Sequence, residues 1–424
     1  MTGIEWGLAG DETVGRLREA GASRRQFLSA AAAAVASGAF LAANDPEAVH
    51  AQEAARAATQ SGASVHELAA TPKTCFWGFF DKSLPPVLRV QSGDILYVET
   101  LTHQAGDAPD LLMDDGVRAV YDAITPDQRG PGVHIMTGPV FVEGAMPGDT
   151  LEVQVLGISP RLPYGTNIAA WWGYLYKDFN KERITIYKFD VSTRLARAAF
   201  AFDYKTTPLY THPGIITPPD TAARQPVMGN VIVPLRPHLG VMGVAPEEPG
   251  KINSIPPWRF GGNIDNRRVG AGATMYYPVF NEGALFFAGD PHMAEGDGEL
   301  SGTAIESSAN VWVRLIVRKD FPITNPLLET ETHWYTHGFS PNPAPTSGPS
   351  VPSDVGFPPL GDLNQAMREA ANQMLAFLNE KKGLTRDEAY SLMSVAADFG
   401  VTQVVDIHQG VHCGIPKSAF LPAL

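Results

Sequence analysis

Three long segments of the chain alternate apolar and polar residues with the period of a β-strand. They are LRVQSGDILYVET at residues 88–100, FVEGAMPGDTLEVQVLGI at residues 141–158 and ANVWVRLIVRKD at residues 309–320. Alternate residues of a strand face opposite sides, so each segment is expected to bury one face. The 41 Gly and 35 Pro favour many turns between such strands. We therefore predict a mainly β fold, in which Ser92-Gly93-Asp94 forms the turn of a hairpin.

The period of the sequence changes towards the C terminus. Residues 362–383 have the spacing of a helix that begins at an Asp cap and ends with Lys-Lys-Gly, and TRDE at residues 385–388 is a capping box. We predict four elements here, which are a Pro/Ser/Gly-rich loop at residues 340–361, a helix at 362–383, a second helix ending near Gly400 and a short strand at 401–407. An α+β part, residues 362–424, therefore follows a β-rich part at residues 74–320.

The N terminus has the pattern of a twin-arginine export signal. Arg24-Arg25 is followed by an apolar run at residues 30–43. This run is shorter than the roughly 20 residues that span a bilayer, although an N-terminal membrane helix is the alternative. We predict a signal peptide at residues 1–51, a linker at 52–73 and one catalytic region at 74–424. The mature protein is expected to be periplasmic or extracellular, with no stable membrane insertion.

Composition and motif searches exclude several functions. The net charge of −13 and the absence of a basic stripe argue against nucleic-acid binding. The sequence contains no P-loop, no dinucleotide-binding glycine motif, no H-E-x-x-H and no G-x-S-x-G. Only Cys75 and Cys413 are present, so one disulfide is possible outside the cytoplasm.

The segment FFAGDPHMAEGDGELSGTAIE at residues 286–306 concentrates acidic groups around one histidine. These groups are Asp290, His292, Glu295, Asp297 and Glu299. Like charges at this spacing repel unless a cation or a proton separates them, so the segment is either a solvated turn or a metal-centred site. It fails as an EF-hand loop, because Glu295 stands where that loop requires glycine. The histidine favours a transition metal over calcium.

Further polar residues follow other apolar segments of the chain. They are His103, His134, Asn263, Asp265 and Glu306. A catalytic zinc needs about three nitrogen or oxygen ligands and one open position. We predict that Asp265 and His292 hold a divalent metal, with His103 or His134 as a further ligand. His134, Asn263 and Glu306 are predicted to bind substrate. Glu299 is predicted to transfer a proton during catalysis, with Asp290 as the second candidate, and the alternative is that Glu299 is itself a metal ligand.

Six ordered motifs of this chain resemble the acetamidase/formamidase family. They are SGDILYVET, TGPVFVEGAMPGD, SIPPWRFGGNIDN, YYPVFNEGALFFAGDPHMAEGDGE, GTAIE and VTQVVD…GVHCGIPKSAF, and they extend from Phe76 to Phe420. The resemblance implies a β-sandwich or barrel-like fold with an α+β part. It also implies hydrolysis of short linear amides to a carboxylate and ammonia, a divalent metal, with zinc expected, and a homo-oligomer.

Two residues depart from the pattern of that family. Many relatives carry Asp where this chain has Thr102-His103, and relatives often have Gln where this chain has Glu295. The substrate therefore stays open between a small amide and a larger amide, carbamate or imide, and a catalytically inactive binding protein is a third possibility. Trp171-Trp172 either lines a wider pocket or packs in the core.

Overall fold

The structure is a computed structural model that describes residues 62–179, 181–204, 214–340 and 361–421. The largest sheet in these residues has nine strands. In order across the sheet they are β1 (Val65–Leu68), β5 (Ile95–Thr100), β17 (Ala309–Arg318), β7 (Thr150–Pro160), β15 (Thr274–Pro278), β18 (Leu327–Glu329), β19 (His333–Ser340), β21 (Gln409–Pro416) and β20 (Asp398–Val401). β1 and β5 pair in parallel, whereas the other neighbours are antiparallel.

Three smaller sheets accompany the large one. The second sheet contains β14 (Gly261–Asn263), β12 (His238–Gly243), β16 (Phe286–His292), β6 (Ile135–Val142) and β2 (Cys75–Trp77), with β4 (Leu88–Val90) beside β6. The third contains β11 (Val233–Pro234), β10 (Leu195–Asp203), β9 (Arg183–Asp190) and β8 (Tyr164–Ala169). β13 (Ile252–Asn253) pairs with β3 (Phe79–Phe80).

The two largest sheets bury a common apolar core. Val98, Val153 and Val311 of the nine-stranded sheet belong to the same buried cluster as Met136 and Phe287 of the second sheet. Each apolar side chain of this size contributes roughly 1.5–3 kcal/mol when it is fully buried, so the facing sheets are stabilised mainly by this layer. The predicted mainly β fold is confirmed.

Four α-helices occur in the described residues. They are α1 (Pro109–Leu112), α2 (Asp115–Ala123), α3 (Leu363–Lys382) and α4 (Arg386–Ala396). α3 begins at the Asp362 cap and ends at Gly383 in the left-handed conformation, and Thr385 and Glu388 form the predicted capping box of α4. α3 packs on β19 and β21 through an apolar cluster that includes Met374 and Ile415. None of the described helices is long and apolar enough to cross a membrane.

The turn at Ser92-Gly93-Asp94 does not form the predicted hairpin. β4 before the turn pairs with β6, and β5 after it pairs with β1 and β17, so the chain passes from one sheet to the other. The Asp94 carboxylate accepts hydrogen bonds from the amides of Gln91 (2.9 Å) and Ser64 (2.9 Å). These bonds close the turn through a side chain, which alternation in the sequence does not reveal.

Other predicted boundaries also differ from the structure. The first strand of the described residues, β1, begins at Val65, inside the predicted linker, and adds an edge strand to β5. The second C-terminal helix ends at Ala396, and the strand after it is Asp398–Val401 rather than residues 401–407. Cys75 and Cys413 are free. The predicted signal peptide lies outside the described residues, and so does nearly all of the predicted loop at residues 340–361.

Candidate active site

The centre of the site lies on the paired strands β12 and β16. His238 of β12 stands opposite His292 of β16, and Asp290 precedes His292 by two residues on the same strand. Asp290 has φ +49°, in the left-handed region, and its Oδ2 lies 3.1 Å from the Nε2 of His292. Gly240 of β12 lies beneath them, where a Cβ atom would overlap with Asp265, Asp290 and His292. Glycine at this position leaves the space that the cluster occupies.

The His292 ring contacts carboxylates through both of its nitrogens. Its Nε2 lies 3.1 Å from Asp290 Oδ2, 3.3 Å from Glu306 Oε1 and 3.9 Å from Asp265 Oδ1. Its Nδ1 lies 3.2 Å from Glu295 Oε2, which is also 2.7 Å from His238 Nε2. All of these residues are buried. His292 is therefore the hub that joins four carboxylates.

His103 and His134 approach the same cluster from outside the two central strands. The His134 Nε2 atom lies 3.7 Å from Asp290 Oδ2. The rings of His103 and His134 are nearly perpendicular, with centroids 5.3 Å apart. The His134 Nδ1 atom lies 3.1 Å from the Ser254 carbonyl oxygen. A carbonyl can only accept, so Nδ1 donates there and Nε2 of the neutral ring keeps its lone pair towards Asp290.

A cavity of about 30 Å³ opens at this cluster. Its polar lining consists of His103, Gln104, His134, Asn263, Asp290, Glu299, Thr303, Glu306 and Asp406. Trp172 and Gly302 also line it. The Glu299 backbone has φ +47°, in the left-handed region, within the turn that follows β16. That conformation is uncommon for a residue with a side chain, and strained backbone of this kind is concentrated at functional sites.

Burial and mutual repulsion make the acidic groups hard to ionise together. Burial raises the pKa of Asp265, Glu299 and Asp406 well above their usual values, and neighbouring carboxylates raise the pKa of each further. Burial also raises the pKa of Glu306, against the opposing effect of His292. Burial opposes ionisation of Asp290 as well, yet the His134 and His292 rings hold its pKa below the usual range.

The histidines divide into two kinds. Burial lowers the pKa of His103 to about 3 and also lowers the pKa of His134, so both rings are neutral at physiological pH. For His292 burial acts in the same direction, but the Glu306 and Asp290 carboxylates raise its pKa well above the usual value. The neutral rings of His103 and His134 thus lie beside the ring of His292, which shares protons with the Glu306 and Asp290 carboxylates.

Several buried oxygens of the cluster have no hydrogen-bond partner among the described residues. These atoms are Asp265 Oδ1 and Oδ2, Asp290 Oδ1, Glu295 Oε1, Glu306 Oε2 and Asp406 Oδ2. An unpaired buried polar atom costs free energy, and a bound cation would supply the missing partner. Four sets of possible ligands have donor atoms within 4.8 Å of one another: His103–His134–Asp290, His238–His292–Glu295, Asp265–His292–Glu299 and Asp290–His292–Glu306. The residues present therefore fit a divalent cation.

The structure brings all eight predicted site residues into this cluster or its cavity. They are His103, His134, Asn263, Asp265, Asp290, His292, Glu299 and Glu306. Asp297 of the same acidic segment lies apart from them and pairs with Arg267 (2.8 Å) and Arg268 (3.1 Å). Trp172, for which the sequence left two interpretations, packs in an apolar cluster, and it also lines the cavity, which at about 30 Å³ is small rather than wide.

Three residues of the site were not singled out from the sequence. Asp406 lies within VTQVVD, one of the motifs that carry the family resemblance, and that position was the available signal. Gln104 directly follows His103, and its Oε1 atom has no hydrogen-bond partner among the described residues. His238 carries no local signal, because its role depends on the register that sets it opposite His292.

A β body that buries histidines and carboxylates with displaced pKa values around one small cavity has the construction of an enzyme active site. The chain belongs to the Acetamidase/Formamidase family, which its residues 67–253 and 250–421 match. The family predicted from the sequence is thus confirmed.

Individual relatives agree with this membership. The chain is 29% identical over 206 residues to an acetamidase of Mycolicibacterium smegmatis, covering 40% of this chain and 49% of that enzyme, about half its length. It is 26% identical over 377 residues to a formamidase of Methylophilus methylotrophus, covering 76% of this chain and 84% of the other. The crystal structure of an acetamidase from Bacillus halodurans has a TM-score of 0.62 at 25% identity and covers 84% of this chain and 98% of that one. These names indicate an amidase that acts on linear amides.

Proposed function

We propose that the chain is a metal-dependent hydrolase of short linear amides, which it converts to a carboxylate and ammonia. The observation that carries this proposal is the combination of neutral histidines, proton-holding carboxylates and unpaired buried oxygens around one small cavity. Membership of the Acetamidase/Formamidase family supports the choice of an amide as substrate.

A divalent cation, with zinc expected, is proposed to be held by Asp265 and His292. His103 and His134 are the further candidate ligands, because both are buried, neutral and next to Asp290. A cation bound by such nitrogen and oxygen ligands would polarise an amide carbonyl and stabilise the negative charge that develops on its oxygen. His238 and Glu295 contact the second nitrogen of His292 and so fix the orientation of its ring.

Glu299 is proposed to move the proton. It lines the cavity, and burial, ahead of the charge of Asp265, raises its pKa so that the carboxyl group readily holds a proton. When water adds to the carbonyl carbon, the ionised form of Glu299 takes one proton from the water. It then returns that proton to the nitrogen, so the carbon–nitrogen bond breaks with ammonia as the leaving group. Asp290 is the second candidate, but its pKa lies below the usual range, which makes it a weaker proton acceptor.

Two carboxamide side chains are proposed to orient the substrate. Gln104 Oε1 and Asn263 Oδ1 are buried, have no hydrogen-bond partner among the described residues and belong to residues that line the cavity. Each oxygen can accept a hydrogen bond from the NH₂ group of an amide, which an ester or a carboxylic acid does not offer. A site that leaves such acceptors unpaired discriminates against substrates without N–H donors.

The size of the cavity favours a short amide over a larger amide, carbamate or imide. A buried water requires about 10–15 Å³ of such space, so the cavity of about 30 Å³ holds about two waters. The smallest amides have this size. Formamide and acetamide are therefore the proposed substrates.

Location and assembly are further proposals. We propose that the enzyme is exported in folded form by the twin-arginine route, which Arg24-Arg25 before a short apolar run supports. We also propose that it forms a homo-oligomer, because edge strands such as β1 and β20 gain from being covered.

The test is ammonia release by the purified, zinc-loaded protein from formamide, acetamide and longer amides, with a carbamate and a cyclic imide as competitors. Turnover of formamide or acetamide with the highest kcat/KM is the expected result. Asp297→Asn is a matched control, because it changes a carboxylate of the same segment that pairs with arginines outside the cavity. Failure of the zinc-loaded protein to release ammonia from any short amide would overturn the proposal and favour an inactive binding protein.

A further inference from the structure

One wall of the cavity is the indole ring of Trp172, which is 5% exposed. The ring lies against the backbone of Gly302, where a Cβ atom would overlap with it. Gly302 has φ +115°, so both its conformation and the close contact require glycine. The indole is thus pressed onto the turn that follows Glu299.

A buried carboxylate fixes the orientation of this ring. Trp172 Nε1 donates to Glu182 Oε1 at 3.0 Å, and Trp171 Nε1 donates to the same oxygen at 3.2 Å. Glu182 is itself 5% exposed and directly precedes β9. A hydrogen bond to a carboxylate is stronger than one between neutral groups, so this contact restricts rotation of the Trp172 side chain.

The backbone ties the same segment to the catalytic turn. The Ala170 amide donates to the Ser301 carbonyl (3.2 Å), and the Tyr174 amide donates to the Leu300 carbonyl (2.8 Å). These two hydrogen bonds join the segment that carries Trp172 to the turn that follows Glu299. The indole therefore has a fixed position relative to the Glu299 carboxylate.

We propose that Trp172 determines the acyl size that this amidase accepts, and that Glu182 positions its ring for this role. The proposal rests on the proposed function and deepens it. The cavity has room for about two waters, and the indole of Trp172 is the largest side chain among the residues that line it. In a hydrophobic pocket each extra methylene changes kcat/KM by roughly 10-fold or more, so one aromatic wall can separate acetamide from butyramide.

Trp171 offers a matched comparison within the same structure. It donates to the same Glu182 oxygen, but it is not among the described residues that line the cavity. Trp171→Phe and Trp172→Phe therefore each remove one indole N–H that donates to Glu182. The first change lies away from the cavity, and the second lies at its wall. Trp172→Ala removes the wall itself.

The first experiment measures kcat/KM for formamide, acetamide, propionamide and butyramide on the zinc-loaded full chain and its variants. Trp172→Ala should raise the ratio of butyramide to formamide kcat/KM by at least about 10-fold. Glu182→Gln and Trp172→Phe should shift the ratio in the same direction by less, whereas Trp171→Phe should keep the wild-type ratio. An unchanged ratio in a folded Trp172→Ala protein, or an equal shift in Trp171→Phe, would overturn the proposal.

The second experiment does not depend on turnover. Binding of formate, acetate, propionate and butyrate to the zinc-loaded proteins is measured by calorimetry. Wild type should bind the longer carboxylates at least about 10-fold more weakly than Trp172→Ala does. If the affinity for the four carboxylates depends on chain length in the same way in the wild type and in Trp172→Ala, the role of Trp172 is refuted, even if the wild type hydrolyses short amides. Conversely, Trp172→Ala could bind the longer carboxylates more tightly than the wild type does while neither protein releases ammonia. That result would support the role of Trp172 in limiting acyl size and would contradict the proposed amide hydrolysis. Circular dichroism confirms that each variant is folded.

Discussion

Asp107 gives the stability of this protein a specific pH dependence. Its side chain is 1% exposed in the short helix Ala105–Asp107. Its Oδ2 accepts a hydrogen bond from Thr166 Oγ1 at 2.7 Å, while Oδ1 has no hydrogen-bond partner among the described residues. Burial, which outweighs the Thr166 hydrogen bond, raises its pKa from 3.8 to about 7. The folded protein thus binds a proton that the unfolded chain has already lost.

The direction and size of the effect follow from linkage. Because the folded pKa is the higher one, the contribution of Asp107 is fully present below about pH 4 and is lost as the pH rises to about 7. Each tenfold change in proton affinity is worth about 1.4 kcal/mol, so the complete loss is about 4 kcal/mol. Between pH 5 and pH 8 the loss is about 2–3 kcal/mol.

Asp107→Asn removes the charge and keeps an oxygen that can accept from Thr166. The stability of the variant relative to wild type should therefore rise by about 2–3 kcal/mol from pH 5 to pH 8. Urea unfolding at the two pH values measures this difference. Every other titrating group is common to the two proteins, so their difference isolates Asp107. An equal difference in unfolding free energy at pH 5 and pH 8 would show that the pKa of Asp107 is not raised in the folded protein.

Three further predictions concern the site and its delivery. His292→Ala should lose bound zinc while its circular dichroism stays that of the wild type, because the hub of four carboxylates is gone; full zinc occupancy would exclude His292 as a ligand. Glu299→Gln should bind zinc and amide but turn over at least about 100-fold more slowly. Near-normal turnover would rule out Glu299 as the proton carrier, and loss of zinc would make it a ligand. Replacing Arg24 and Arg25 by Lys should leave precursor in the cytoplasm on fractionation, and unchanged export would contradict the twin-arginine route.

Local patterns in the sequence predicted local structure well. The alternation in residues 309–320 became β17, and the Asp362 cap and the TRDE capping box became the starts of α3 and α4. The segment around Asp290 and His292 also stood out, because clustered like charge after an apolar strand requires an explanation. Each of these signals lies within about 20 residues of the chain, where period and capping act directly.

Long-range pairing could not be read in the same way. The turn at Gly93 looks like a hairpin, yet it transfers the chain between sheets, since β4 pairs with β6 whereas β5 pairs with β1 and β17. His238 joins the site only through its register with β16. Asp406 arrives from a loop more than a hundred residues beyond Asp290, next to the Asp265 carboxylate. Trp172 gave no local sign of the Gly302 contact that places it at the cavity.

The central claim is that the buried cluster of histidines and carboxylates holds a metal on which amide hydrolysis depends. It is tested by measuring ammonia release from formamide and zinc content on the same samples, before chelation, after chelation and after zinc is restored. Activity and zinc should be lost together and return together, and His292→Ala should regain neither. Full activity in protein stripped of all divalent metal would show that hydrolysis does not depend on a metal.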